Sequence, residues 1–122
     1  MADRSLVLAL GKNERNLQLL AELVDEEGCE TYVASTVDEF DAVLRRRDDV
    51  AIAVLDAEGF SETLWKRFES LDTRDVSTVV LTAATPARLR REAISRGVRA
   101  ILEKPVERAD LRATIRGMLR EG

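Results

Sequence analysis

Five short apolar runs alternate with five helical stretches, and this alternation is what most limits the fold. The run "VAIAVL", Val50 to Leu55, is uninterrupted and suits a parallel strand covered on both faces. "SLVLAL" and "STVVLT" read the same way, "RAILE" is a shorter strand, and "CETYVA" alternates as a sheet edge does. Between them lie Leu17, Leu20 and Val24, with Leu19 and Leu23 beside them; then Phe40, Val43 and Leu44; then Leu64, Trp65, Phe68 and Leu71. A last stripe of Leu111, Ile115, Met118 and Leu119 begins from about Arg108. Strands that alternate with helices imply an open parallel sheet with helices on both faces, an α/β architecture of three layers.

Punctuation fits this reading. Gly28 closes the first helix, and Thr36 with Glu39 forms a capping box for the second. "TPARLRREAISRG" predicts Thr85 as N-cap, Pro86 at the first helical position and Gly97 as the stop. Trp65, the sole tryptophan, reads as packing.

At 122 residues, without linker, repeat or low-complexity segment, residues 1–122 are expected to form one domain. No apolar run approaches the ~18 residues of a membrane span, and "MADRS" lacks the apolar core of a secretory signal. A cytoplasmic protein with no membrane association is expected. The net charge of −4 argues against nucleic acid as a partner, whose phosphates demand a basic face. Arg45 to Arg47, and Arg88, Arg90 and Arg91, read as solvated helix faces before they read as docking patches. Histidine is absent, which removes Ser-His-Asp triads and histidine metal ligands together. The single cysteine, Cys29, excludes an internal disulfide and reads as a small buried hydrophobe.

In open parallel sheets the functional crevice lies at the carboxyl ends of the strands. The residues there are Gly11 and Lys12, Asp56, Thr82, and Lys104 with Pro105. A carboxylate, a hydroxyl and an ammonium group at one edge can hold a phosphoryl group, the carboxylate attacking while the others stabilise its oxygens.

Through "AVLD", "VVLTAA" and "ILEKP" the chain resembles the receiver domains of two-component response regulators, over essentially its whole length. The resemblance implies a flavodoxin-like (CheY-like) fold with strand order 2-1-3-4-5. It puts Asp56 at the phosphoacceptor position, Thr82 at the switch hydroxyl and Lys104 at the active-site lysine, and implies a cis Lys104–Pro105 bond. The departures from the family pattern gather at the chemistry. Typical receivers end the first strand in two acidic residues that bind magnesium; Gly11 and Lys12 stand in those places. Asn13 and Glu14 come too late in the chain, although a loop shift would bring Glu14 near. "AEGFSETLW" lacks the usual proline and is shorter than the family's loop, and Ile101 stands where many receivers carry a Tyr or Phe.

Asp56 and the carbonyl of Glu58 remain as weak metal candidates, too few for a tight site. No cofactor is therefore expected, magnesium entering only if the chain is a working receiver. Lys12 is expected within salt-bridge reach of Asp56 as a built-in cation, with Lys104 as the rival partner. Restoring Gly11→Asp with Lys12→Asp is expected to recover metal binding if the pocket is otherwise intact.

Two functions follow. The first is an atypical receiver, not an enzyme, that signals through protein contacts independently of phosphorylation and magnesium. The second is a working receiver phosphorylated on Asp56 by a histidine kinase. A flavodoxin-type protein would need a Ser/Thr/Gly-rich phosphate loop, which "GKNERN" is not; a cobalamin-type one usually a ligand histidine; a cysteine phosphatase a thiolate in an arginine cradle. Partners implied are a histidine kinase or a downstream protein, with homodimerisation through the fourth helix, fifth strand and fifth helix, a face that carries Arg88, Arg91, Arg96 and Arg99. Nothing follows the last helix in this sequence, so it is expected to act through contacts or as a piece of a longer chain.

Overall fold

The computed structural model describes residues 6–12, 14–56 and 62–121. Strands β1 (Leu6–Leu10), β2 (Glu30–Ala34), β3 (Val50–Asp56), β4 (Ser77–Thr82) and β5 (Val98–Glu103) alternate with helices α1 (Glu14–Glu26), α2 (Val37–Arg46), α3 (Glu62–Thr73), α4 (Ala87–Ser95) and α5 (Arg108–Glu121). All four strand pairings are parallel, in the order β2-β1-β3-β4-β5. This is the expected flavodoxin-like, CheY-like architecture.

The period of two along each strand divides the core into two layers. Val7, Ala9, Ile52, Val54, Val79 and Leu81 pack against Leu17, Leu20, Val24, Leu111 and Ile115 of α1 and α5. Leu6, Leu8, Leu55 and Val80 face the other way, onto Phe40 and Val43 of α2, Phe68 and Leu71 of α3 and Ala93 of α4. Central β3 serves both layers, and this is why its sequence is apolar at every position from Val50 to Leu55. Ile101 is buried in the second layer. Trp65 is partly buried against that layer, its ring edge-on to Phe68 with centroids 5.3 Å apart and the Arg96 guanidinium over its face at 5.1 Å.

Helix ends follow local chemistry. At the end of α1, Gly28 adopts φ +77°, and the Cys29 and Gly28 amides donate to the carbonyls of Val24 and Asp25. Only that left-handed turn lets the chain reverse into β2 within so few residues. Thr36 Oγ1 accepts the Glu39 amide at 3.1 Å and caps α2, as expected. The cap expected at Thr85 is not formed: Pro86 occupies the N-cap position with no side-chain cap bond, and the Thr85 hydroxyl is buried without a partner. The fixed φ of proline sets the turn geometrically, and the hydroxyl is left over.

Arginines tie the helices to their surroundings. Arg108 and Arg112 of α5 pair with Glu22 and Glu26 of α1, and Arg116 pairs with Glu27. Arg67 of α3 grips Asp41 of α2 through two bonds, and Arg47 joins Glu30 to Asp49. Arg47, from the run Arg45 to Arg47, thus serves as an intramolecular clamp. Among the described residues no helix is long and apolar enough to cross a membrane.

Candidate functional site

Parallel pairing brings the chosen strand ends to one edge. The β1–β3 register matches Leu10 with Leu55, so Gly11 follows alongside Asp56; Asp56 matches Leu81 on β4, and Thr82 matches Glu103 on β5. The Lys104 amide donates to the Thr82 carbonyl at 2.8 Å, and the Lys104–Pro105 bond is cis, as the resemblance implied. The Lys104 ammonium pairs with Asp56 Oδ1.

This ion pair is set deep, with the Asp56 side chain 4% exposed and that of Lys104 16%. Asp56 Oδ2 is buried without a hydrogen-bond partner. Thr82 is 1% exposed, and its hydroxyl likewise has none. Both atoms are the kind that a folded chain normally pairs.

No ion pair joins Lys12 to Asp56. Lys12 is exposed, and among the described residues it is the rival partner, Lys104, that pairs with the carboxylate. The two lysines differ in burial: the Lys104 side chain is largely buried against Asp56, whereas Lys12 stays in solvent. Gly11 explains the rest. A β-carbon built there would lie 2.7 Å from Asp56 Cβ and 3.6 Å from its Oδ2. The ends of β1 and β3 have closed on the volume that a side chain at residue 11 needs, so the expected repair by Gly11→Asp with Lys12→Asp meets a steric barrier. Asn13 and Glu58 lie outside the described residues, as does the Glu14 side chain.

A cleft of about 550 Å³ opens at this edge. Asp56, Lys104, Gly11 and Lys12 form one side and Leu10 the base. Its far wall is Ser35, Thr36 and Val37, at the junction of β2 with α2. Thr82 is not among the lining residues. In the sequence Thr36 shows only as a helix cap; the rule that crevices form at strand ends, applied to β2 as to the other strands, points to this far wall. Cys29 lies at the opposite end of β2, and burial together with the Glu27 charge pushes its thiol pKa up, which disfavours a reactive thiolate.

The five-stranded parallel sheet in the order β2-β1-β3-β4-β5 is a CheY-like fold. Among solved structures, the chain is similar to a response regulator from Thermotoga maritima, at 17% identity over 95% of this chain and 98% of that one, with a TM-score of 0.83. A CheY-like response regulator receiver domain protein from Methanospirillum hungatei matches at 20% identity over 96% and 94%, with a TM-score of 0.80. A pilus assembly-related protein from Burkholderia pseudomallei matches at 17% identity over 99% and 93%, with a TM-score of 0.78. No protein-family model matches the chain, and no curated protein does. At such identities the likeness is one of fold.

Proposed function

We propose that this chain is an atypical receiver of two-component type: a signalling module, not an enzyme, that works through protein contacts without magnesium-assisted phosphorylation of Asp56. The observation that carries the reading is the contact between Gly11 and Asp56. In the receiver pattern a magnesium ion sits beside the phosphoacceptor on two carboxylates. Here the first of those places has no room for a β-carbon, the second bears a cation, and Lys104 occupies Asp56 Oδ1. Magnesium requires several oxygen ligands in near-octahedral array, and this donor set does not fit it. Asp56, Thr82 and Lys104 remain the residues on which any phosphoryl chemistry would depend. The face built from α4, β5 and α5 supports a docking role for a partner or a second copy: Ile94 on α4 is 53% exposed beside exposed Arg91.

The test is a magnesium titration followed by Trp65 fluorescence, with and without acetyl phosphate, and mass spectrometry of the product. We expect no saturable quenching and no label on Asp56. Magnesium-dependent quenching and labelling, both abolished by Asp56→Asn, would establish a working receiver instead.

A further inference from the structure

We propose that α4 is a hinged flap. It opens from its N-terminal end about the corner at Arg96 and Gly97 while the sheet stays folded, and the grip of Arg96 on α3 sets how often it opens. The inference deepens the reading above and rests on it for its purpose: a receiver that takes no metal needs an element that changes state without one.

The helices are not held alike. α2 buries Phe40, Val43 and Leu44 and α5 buries Leu111 and Ile115, whereas Ala93 is the one buried residue of α4. Leu89 on α4 is half-buried, Arg88 and Arg91 are exposed, and Ile94 is 53% exposed. α4 is also the shortest of the five helices, at 9 residues, too few to persist without packing. Local opening is easiest where little apolar surface is buried, and a single methyl group holds less than any larger apolar side chain. α4 is therefore the helix that leaves the fold first.

The two ends of α4 differ, and the difference sets the direction of opening. Its N-terminus rests on Pro86 with no side-chain cap, its first turn holds no acidic residue, and Arg88 and Arg90 set positive charge against the positive end of the helix dipole. Arg90 reaches the exposed Glu103 at 3.4 Å. The C-terminus is pinned. Gly97 takes φ +105°, and a β-carbon there would lie 2.5 Å from Asp72 Cβ, so the corner after α4 is pressed against the end of α3. Arg96 spans the two helices: its guanidinium lies 5.1 Å from the centroid of the Trp65 ring, 3.9 Å from Glu69 on α3 and 3.4 Å from Glu92 on α4. Ion pairs and ring contacts this exposed are individually weak, so the grip holds α4 without locking it. α4 packs chiefly on β5, and lifting it bares Ile101, which the closed layer buries. The docking face built from α4, β5 and α5 is thereby remade with no covalent change.

The experiment is native-state hydrogen exchange of the ¹⁵N-labelled chain in low urea. The amides from Arg90 to Arg96 should be protected at least about tenfold less than those of Val54 and Val79 in the sheet, with a small urea dependence, and Arg90 should exchange ahead of Arg96. Arg96→Met, at a partly exposed position, should speed the α4 amides about fivefold and leave Val54 and Val79 nearly unchanged. Arg96→Lys, which keeps a cation over the ring, should restore much of the protection. Arg112→Met, which breaks an exposed pair on α5, should leave α4 as it is in the wild type. The proposal is overturned if α4 exchanges only together with the sheet on the same urea slope, if Arg96 exchanges ahead of Arg90, or if Arg96→Met speeds all amides equally or none. Labelling of Asp56 by acetyl phosphate would overturn the parent reading whatever the exchange shows. A fold that opens only as a whole, beside an unlabelled Asp56, would remove the flap and leave that reading standing.

Discussion

Gly11 decides the character of the site more than any charged residue does. Because a β-carbon there meets the β-carbon of Asp56, which is held by its strand and by Lys104 and cannot swing aside, Gly11→Ala forces the ends of β1 and β3 apart. Overpacking of this kind costs about 1–3 kcal/mol, and urea denaturation should read that loss. The cause can be isolated by a double-mutant cycle. In an Asp56→Gly background the opposing β-carbon is gone, so adding Gly11→Ala should cost much less than it does in the wild type. An equal cost in both backgrounds would place the strain elsewhere.

Between elements, apolar stripes and arginine clamps contribute very unequally. Ile115 of α5 is fully buried between that helix and the sheet, and Ile115→Ala should destabilise the chain by about 2–5 kcal/mol. Arg112→Met, which removes the pair to Glu26 at the exposed α1–α5 seam, should cost far less, and the difference from wild type should shrink further as salt is added. The same contrast explains how much could be read in advance. Apolar periodicity reports burial, so all ten elements, the strand order implied by the resemblance and the edge holding Asp56, Thr82 and Lys104 were legible in the residues. Side-chain reach leaves no periodic trace. Whether Lys12 or Lys104 meets Asp56 depends on where the chain turns after β5, and the missing cap at Thr85 depends on the conformation that Pro86 imposes. The far wall at Ser35 to Val37 depends on how β2 and α2 stand against β1.

Across the whole molecule, acid should weaken the fold through a few identifiable carboxyls. Hydrogen bonds from Arg47 hold the Asp49 carboxyl below its ordinary value of 3.8, and those from Arg116 hold Glu27 below 4.5. Each is therefore still charged when folded at a pH where the unfolded chain has taken up a proton. The stability they contribute is fully present above those ordinary values and is lost as pH falls through the lowered ones. Between about pH 6 and about pH 3, wild type should lose more stability than the Arg47→Met, Arg116→Met double variant, as urea midpoints would record. The contact at Gly11 also couples positions that the chain keeps apart. A carboxylate at residue 12 alone gives this edge a single added oxygen ligand, while residue 11 admits a side chain only when the ends of β1 and β3 part, so an acidic pair at the two positions demands both substitutions and a shift of two strands together.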